Sequence, residues 1–192
     1  MKKNFITFLA RHQWAIVAIS AAALVAVALT KKTKIMDAVN NTVSNAKNEI
    51  KILSLHPAIR EKVRQFINAA EAAGINLLIT SGFRSWENQN ELYAQGRTKA
   101  GKIVTNAKGG QSFHNYGLAI DVVPLVNGAA DWNTNRWNEI AAIAKKYGFT
   151  WGGDFTNIVD KPHFQYSAGL TLAQLQAKFN TGQLSGGFVN LT

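Results

Sequence analysis

The chain has 192 residues, of which 47% are hydrophobic, with 15 glycines, 3 prolines and no cysteine. This composition predicts a packed globular protein and excludes disulfides, thiolate metal ligands and a cysteine nucleophile. The formal net charge of +10 is uneven, because residues 1–51 carry a net +6 and residues 52–192 a net +4. The excess at the N-terminus points to membrane topology or an anionic surface. A nucleic-acid-binding protein is not expected, since the remainder has no Lys/Arg cluster interleaved with aromatic residues.

The N-terminal thirty residues contain one long apolar stretch. Gln13 to Thr30 are eighteen consecutive residues without a charge, a glycine or a proline. As an α-helix they would span about 27 Å, close to the minimum for crossing a bilayer core. The stretch is longer than a signal-peptide core of roughly 7–15 residues, although Ala26-Val27-Ala28 resembles a cleavage site. We therefore expect residues 1–30 to form a hydrophobic membrane-anchoring helix. A cleaved secretion signal and a buried helix of a soluble protein are the alternatives.

Residues 31–53 predict a helical linker with a regular apolar pattern. The apolar residues recur at alternating steps of three and four and define a heptad seam: Met36, Val39, Val43, Ala46, Ile50 and Leu53. The seam covers fewer than three heptads. We expect an amphipathic helix that lies on the following domain, and a self-associating stalk is the alternative.

From residue 54 the pattern is that of a globular domain. The predicted helices cover residues 57–73, 86–95, 134–147 and 170–180. The predicted strands cover residues 75–80, 118–123 and 163–166, and residues 149–155 are predicted to form a strand or a turn. Helices and short strands mix without regular βαβ alternation, which predicts an α+β fold with a small, mostly antiparallel sheet and flanking helices. We expect this domain to span 54–180, residues 181–192 to be a loose C-terminal tail, and His56 to do no more than mark a helix start.

A carboxylate, Asp121, stands in an otherwise apolar predicted strand. There it is withdrawn from water, and it would tend to take up a proton unless a cation compensates its charge. His114 lies seven positions earlier, and Gly117 between them lets the chain turn. Asp160 and His163 form a second polar group, three positions apart. Two histidine nitrogens and the Asp121 carboxylate would suit a catalytic zinc, which keeps a fourth position open for water.

The same residues also admit ordinary structural roles. Taken singly, His114 fits a loop histidine, Asp121 an ion-pair partner and Arg84 a surface residue, and the spacing of His114 and Asp121 is not a specific metal motif. If a zinc is held, Asp160 is left as the general base that takes the proton of the attacking water. Arg84 could then hold a carbonyl oxygen or a carboxylate of the substrate.

Five motifs occur in an order that resembles the M15 family of zinc peptidases, the group of D-alanyl-D-alanine carboxypeptidases and L-alanyl-D-glutamate endopeptidases. They are SGFRS (81–85), LYAQGRT (92–98), SxHxxGxAxD (112–121), WGGD (151–154) and DxPHFQ (160–165). The resemblance covers roughly residues 54–168. It is strongest to the endopeptidase branch, which includes phage endolysins and bacterial wall hydrolases.

The resemblance implies a small α+β domain that holds Zn²⁺ on a central antiparallel sheet. It maps the zinc ligands to His114, Asp121 and His163, the catalytic base to Asp160 and the substrate-orienting arginine to Arg84. The implied activity is hydrolysis of the peptidoglycan stem peptide, with the L-Ala–D-Glu bond favoured. A D-Ala-D-Ala carboxypeptidase is the alternative, and a non-catalytic cell-wall-binding module is the alternative from another class.

The apolar N-terminus is a departure from the soluble endolysins of this family. It leads us to expect an enzyme of the cell envelope, anchored in the membrane with its catalytic domain outside the cytoplasm. Secretion after signal cleavage is the alternative. The expected partners are the stem peptide and, through the N-terminal helix, the membrane. The sequence leaves the oligomeric state and a bacterial or phage origin open.

Overall fold

The computed structural model describes the backbone of residues 2–192 and the side chains of residues 26–192. The first helix, α1, spans Lys2–Leu53. The chain divides into two units, residues 1–42 and residues 43–192. Most side chains of the predicted membrane segment, residues 13–30, lie outside the described residues. Within the described part, no helix is long and apolar enough to cross a membrane.

The unit that begins at residue 43 contains all the other elements. Its helices after α1 are α2 (Pro57–Ala72), α3 (Trp86–Ala94), α4 (Trp137–Lys145) and α5 (Leu172–Asn180). Its strands are β1 (Leu77–Ser81), β2 (Ala119–Val126), β3 (Ala129–Ala130), β4 (Thr150–Trp151), β5 (His163–Gln165), β6 (Leu184–Ser185) and β7 (Phe188–Val189). Short 3-10 turns lie at Phe113–Tyr116 and Gly152–Asp154. Residues 149–155, predicted to form a strand or a turn, contain both, because β4 ends after two residues and the chain turns at Gly152.

The main sheet is antiparallel throughout, with the strand order β1-β2-β5-β4 and with β3 paired to the far end of β2. The predicted α+β class with a small antiparallel sheet is confirmed. Strand β2 is central, and the register sets Asp121 opposite His163 of β5 and Ser81 of β1. This register brings residues that are 42 positions apart in the sequence onto neighbouring strands.

Helix α2 packs on one face of this sheet. Its apolar residues recur at helical spacing and are buried: Ile59, Val63, Phe66, Ile67 and Ala70. The ring centroid of Phe66 lies 5.3 Å from that of Phe164 on β5 and 6.0 Å from that of Phe149. Successive residues of a strand point to opposite faces. Because Phe164 faces α2, its neighbours His163 and Gln165 lie on the other face of the sheet.

The C-terminal residues are not the loose tail that we expected. Strands β6 and β7 form a hairpin around Gly186 and Gly187, whose φ angles of 57° and 83° suit a tight two-residue turn. Val189 is 2% exposed and belongs to the core. His56 caps α2 by accepting the Ala58 N–H at Nδ1, and its Nε2 bonds the Val189 carbonyl oxygen at 3.0 Å. His56 therefore does more than start a helix, because it also fastens the C-terminal segment.

The last turns of α1 lie on the domain through the face opposite the heptad seam. Ser44, Asn48 and Ile52 are each 2% exposed. In the same stretch the heptad-seam residues Val43 and Ile50 are 49% and 71% exposed. The helix lies on the domain with its heptad seam exposed, because polar groups of the sheet edge are matched by Ser44 and Asn48 on the opposite face of the helix.

Asn48 supplies the main polar contact of that face. Its Nδ2 donates to the carbonyl oxygen of Leu77 at 2.7 Å, and its Oδ1 accepts the N–H of Ile79 at 2.7 Å. Leu77 and Ile79 belong to β1, the strand at the edge of the sheet. The Asn48 amide thus occupies the place of a neighbouring strand and satisfies two backbone groups that would otherwise be buried without partners.

Replacing Asn48 by Ala should destabilise the full chain by about 1–3 kcal/mol for each backbone group left unsatisfied. The measurement is the free energy of unfolding from urea titrations. Asn45→Ala is the matched control, because Asn45 is exposed on the same helix; it should change stability by no more than about 0.5 kcal/mol. Equal stability of the two variants would contradict the role assigned to Asn48.

Candidate metal centre

Three elements converge on the face of the sheet that α2 leaves uncovered. Asp121 projects from the middle of β2, and His163 lies opposite it on β5. His114 comes from the 3-10 turn that precedes β2. Gly117 ends that turn at φ 67°, and a Cβ there would lie 2.7 Å from the His56 backbone nitrogen. As predicted, Gly117 lets the chain turn, and only glycine fits this left-handed position so close to another backbone segment.

The converging side chains present three acceptor atoms to a single point. His114 Nε2 lies 3.1 Å from Asp121 Oδ1 and 3.2 Å from His163 Nδ1. His163 Nδ1 lies 3.1 Å from Asp121 Oδ1. The two histidines are buried, and the Asp121 side chain is 21% exposed. The structure therefore brings together the three residues that the sequence analysis named as a ligand set.

Each imidazole ring forms a hydrogen bond on the side that faces away from the cluster. This bond fixes which ring nitrogen carries the proton and leaves the other nitrogen available to a metal ion. His114 Nδ1 lies 2.8 Å from the Gly82 carbonyl oxygen, which can only accept, so Nδ1 donates its proton there. His163 Nε2 lies 3.0 Å from Gln165 Oε1 and donates in the same way. The inner nitrogens then carry free lone pairs, as metal-ligating histidines require.

The electrostatics of this cluster call for a cation. Burial disfavours the charged form of Asp121, but hydrogen bonds from His114 and His163 outweigh it and hold the pKa of Asp121 well below its ordinary value. The two rings can donate these bonds only when an inner nitrogen carries a proton in place of a metal ion. Burial also opposes the charged form of His163, yet its hydrogen bond to Asp121 and the charge of Asp121 raise the pKa of His163. Two nitrogens and one oxygen within hydrogen-bond distance of one another fit a Zn²⁺ site with one open position.

Arg84 lies beside the cluster and is held by several contacts. Its guanidinium donates to Gln89 Oε1 and Ser81 Oγ, each at 2.9 Å, and approaches Asp121 Oδ2 at 3.6 Å. Its backbone N–H donates to the His114 carbonyl oxygen at 3.0 Å. The two side-chain bonds use two of the five N–H donors of the guanidinium. Arg84 is therefore a fixed cation with donors left for a ligand.

Asp160 lines the same cleft. Withdrawal of water from its carboxyl group and the nearby charge of Asp121 raise the pKa of Asp160 above its ordinary value. Its backbone is fastened to Gly152, whose carbonyl oxygen accepts the Asp160 N–H at 2.9 Å. A Cβ at Gly152 would lie 2.4 Å from the Asp160 carbonyl oxygen, so the first glycine of the WGGD motif is needed for this close approach.

The cleft has a volume of about 470 Å³ and is open to solvent. The five residues predicted as site residues line it, together with polar residues such as Thr105 and Gln111 and with apolar side chains that include Val104, Phe155, Ile158 and Leu172. Val104 and Ile158 are 56% and 50% exposed, on loops that follow α3 and β4 respectively.

Sequence reasoning missed the residues that support this arrangement. Gln89 is fully buried and holds Arg84, while its Nε2 donates to the Ala107 carbonyl oxygen at 2.9 Å. Asn115 is 4% exposed, and its amide donates to the Arg84 carbonyl oxygen and accepts the N–H of Gly110. Gln165 orients His163. Asn and Gln are common on protein surfaces, so these residue types did not indicate a buried, supporting role.

Comparison with known proteins identifies the family to which the domain belongs. The model of the VanY family, D-alanyl-D-alanine carboxypeptidase, matches residues 52–169. The chain is 45% identical over 121 residues to the peptidoglycan L-alanyl-D-glutamate endopeptidase CwlK of Bacillus subtilis strain 168, covering 58% of this chain and 72% of that protein. It is 30% identical over 107 residues to the L-alanyl-D-glutamate peptidase of Listeria phage A118, covering 54% of this chain and 35% of the phage protein. The L-Ala D-Glu endopeptidase ChiX of Serratia marcescens aligns with a TM-score of 0.47 and 21% identity, over 63% of this chain and 86% of ChiX.

The geometry predicts one zinc ion per chain, bound through the two inner nitrogens and the Asp121 carboxylate. Elemental analysis of the purified protein should find it, and His163→Ala should lose it. Gln165→Leu removes only the acceptor of the outer N–H, and it should weaken zinc affinity by about 10–100-fold.

His56→Asn is the matched control for these variants. It alters a buried histidine outside the cluster and keeps a residue type that caps helices, so zinc content should not change. Full zinc retention by His163→Ala would show that the cluster is not the metal site.

Proposed function

Because the chain belongs to the VanY family of D-alanyl-D-alanine carboxypeptidases, we propose that it is a zinc peptidase that hydrolyses the L-alanyl–D-glutamate bond of the peptidoglycan stem peptide. The resemblance to the M15 zinc peptidases is confirmed by this membership and by the relative at 45% identity. The observation that carries the proposal is the convergence of His114, Asp121 and His163 within 3.2 Å of one another. The choice of bond rests on the names of the two curated relatives.

The protein side of the reaction follows from the positions of these groups. His114, Asp121 and His163 would hold the metal, and their outer hydrogen bonds fix both imidazoles in the ligating tautomer. When bound, zinc supplies Lewis acidity that activates water and polarises a carbonyl group. The cleft leaves room above the three side chains for a peptide and a water molecule.

Asp160 would move the proton. As the water oxygen attacks the carbonyl carbon, the Asp160 carboxylate takes a proton from that water. When the C–N bond breaks, the same carboxyl group returns the proton to the leaving amine nitrogen. Its raised pKa suits both roles, because proton transfer is most efficient when the pKa of the catalytic group lies near the working pH.

Arg84 would orient the substrate. Among the described residues that line the cleft it is the one Lys or Arg. A bidentate contact from a guanidinium held by Ser81 and Gln89 would position a carbonyl oxygen or a carboxylate next to the scissile bond. Replacing Arg84 by Lys should lose this orientation of the bound substrate, because an ammonium group lacks the planar pair of N–H donors that a guanidinium has.

A D-Ala-D-Ala carboxypeptidase is the second candidate, and the description of the matching family model favours it. Both activities need the same metal, base and cationic residue, so the geometry of the centre fits either. They differ in the products. An L-Ala–D-Glu endopeptidase releases peptides that begin with D-glutamate, whereas the carboxypeptidase releases free D-alanine.

Digestion of purified peptidoglycan by the zinc-loaded protein, followed by mass analysis, tests the proposal. We expect new peptides with N-terminal D-glutamate. Free D-alanine as the main product would support the second candidate instead, and the absence of any product would support the non-catalytic wall-binding module.

Asp160→Asn in the same assay should reduce turnover by about 10²–10⁴-fold while zinc content is retained. Asp154→Asn is the matched control, because it removes the same charge from the same loop and Asp154 is paired with Lys145 at 2.7 Å. The control should digest normally. Near-normal turnover by Asp160→Asn would mean that another group is the base.

We further propose that the domain works outside the cytoplasm, with residues 13–30 retained as a membrane anchor. The substrate class and the eighteen uncharged residues of that segment support this proposal. The full-length protein should sediment with membranes, resist carbonate extraction and be cleaved by protease added from outside. A soluble protein whose N-terminus lies near Leu29 would instead establish the secreted form.

A further inference from the structure

The LYAQGRT motif (92–98) is the motif of the sequence that the proposed reaction leaves without a role. It covers the last residues of α3 and the start of the loop that follows this helix. Farther along the same loop, residues 104–107 line the cleft that holds the metal centre. We call these four residues the cleft wall. The contacts of the motif show how the wall is held in place.

Gly96 lets the chain turn back directly after α3. Its φ angle is 72°, in the left-handed region, and a Cβ there would lie 2.5 Å from the backbone nitrogen of Ile103. The Gly96 N–H donates to the carbonyl oxygen of Lys99 at 2.8 Å and closes the turn. Only glycine fits this conformation at so close an approach. The turn therefore returns the chain to the end of α3 immediately before the cleft wall begins.

Arg97 fastens the cleft wall to this turn. Its Nη1 donates to the carbonyl oxygens of Tyr93 and Thr105 at 2.7 and 3.0 Å, and its Nη2 donates to Asn106 Oδ1 at 2.7 Å. The guanidinium carbon lies 4.0 Å from the centroid of the Tyr93 ring, which adds a cation–π contact. One side chain thus joins the end of α3 to two neighbouring residues of the wall.

The bonds of Arg97 also determine what the wall offers to a ligand. A guanidinium can only donate, so its contact with Asn106 Oδ1 leaves the two N–H donors of the Asn106 amide for a carbonyl oxygen of a bound peptide. Val104, which is 56% exposed, adds an apolar surface beside them. The wall can therefore make both a polar and an apolar contact with a peptide chain.

The wall and the substrate-orienting arginine share a support. Gln89 of α3 donates from Nε2 to the Ala107 carbonyl oxygen at 2.9 Å, and its Oε1 accepts from Arg84. Among the described residues, the hydrogen bonds of Arg97 go to α3 and to the wall and not to the metal-binding side chains. Loss of Arg97 would therefore free one side of the cleft and leave the metal centre unchanged.

We propose that Arg97 is a positioning residue that holds the cleft wall for binding of the stem peptide. This inference rests on the proposed function. The wall lines the cleft beside the metal centre, so it can contact the peptide before and during the reaction alike. Binding energy of this uniform kind lowers KM and does not change kcat. Arg97 therefore acts on substrate affinity, and it does so through the wall.

Peptide binding to the full-length, zinc-loaded Asp160→Asn variant tests the proposal, because that variant holds a soluble L-Ala–D-Glu stem peptide with little turnover. Adding Arg97→Gln should raise the dissociation constant, measured by calorimetry, by about 10-fold. Adding Arg97→Lys should raise it as much, because an ammonium group keeps the charge but lacks the guanidinium fork that reaches all three acceptors.

Arg136→Gln is the matched control. The Arg136 guanidinium also donates to two backbone carbonyl oxygens, those of Ala73 and Gly74, each at 3.0 Å, and neither residue lines the cleft. The control should leave the dissociation constant of the peptide unchanged. Zinc content should be the same in every variant, which shows that the metal centre is still folded.

Two further measurements separate positioning from a general loss of structure. With Asp160 intact, Arg97→Gln should raise KM by the same factor and leave kcat within about twofold. Trypsin cleavage after Lys102 and Lys108, which flank the wall, should become several-fold faster in Arg97→Gln and not in Arg136→Gln, because the loop then opens more often.

Each contrary result has a distinct meaning. Faster loop cleavage with an unchanged dissociation constant would overturn the proposal and leave Arg97 a structural role alone. Full affinity in Arg97→Lys would overturn it as well, because the charge would then suffice. Failure of the proposed function would appear as peptide binding without cleavage by the unmodified chain, and the dependence of that binding on Arg97 would still decide the role of the wall. Absence of peptide binding by the unmodified chain would overturn both.

Discussion

The architecture depends on three proton acceptors that meet at one point on the sheet. Two imidazole nitrogens and a carboxylate oxygen lie within 3.2 Å of one another, and in that arrangement none of them can donate to the others without taking up a proton. Such a cluster is unfavourable inside a protein unless a cation neutralises it. The antiparallel register, the left-handed turn at Gly117 and the outer hydrogen bonds of both histidines all serve to hold these atoms in place. Together these three features form a scaffold that fits a zinc site.

The proposed catalytic groups are tied to this cluster by backbone contacts and not only by side chains. The Arg84 N–H bonds the His114 carbonyl oxygen, and the His163 N–H bonds the Asp160 carbonyl oxygen at 3.2 Å. Each proposed functional residue therefore shares a short stretch of fixed backbone with a proposed ligand. Buried amides of Gln89 and Asn115 complete the frame. A site held in this way is preorganised, so little conformational entropy is lost when substrate binds.

Much of the centre could be predicted from sequence because its signals are local. An aspartate in an apolar strand, a glycine between it and a histidine, and a proline-stiffened Asp-Lys-Pro-His turn each have a chemical meaning over a few residues. The supporting residues could not be found in that way. Gln89 looks like an exposed residue of a short helix, and only the tertiary fold shows that it is buried beneath Arg84.

At the two ends of the domain the local sequence pattern does not show which contacts form. A periodic apolar seam shows that something covers a helix face, but it does not say what. Here the domain packs against the polar face of α1, because the free edge of β1 needs hydrogen-bond partners and Asn48 supplies them. At the C-terminus the Gly186-Gly187 pair was a hairpin signal in a stretch with little apolar periodicity, and the burial of Val189 depends on a contact with His56 that is 133 positions away.

X-ray absorption spectroscopy at the zinc edge of the purified, full-length protein tests the central claim most directly. We expect a first shell of nitrogen and oxygen atoms at about 2.0–2.2 Å, with the outer-shell scattering of two imidazole rings and with no sulfur. A spectrum with one imidazole or none, or one that is unchanged when Asp121 is replaced by Ala, would contradict the assignment of His114, Asp121 and His163 as the metal centre.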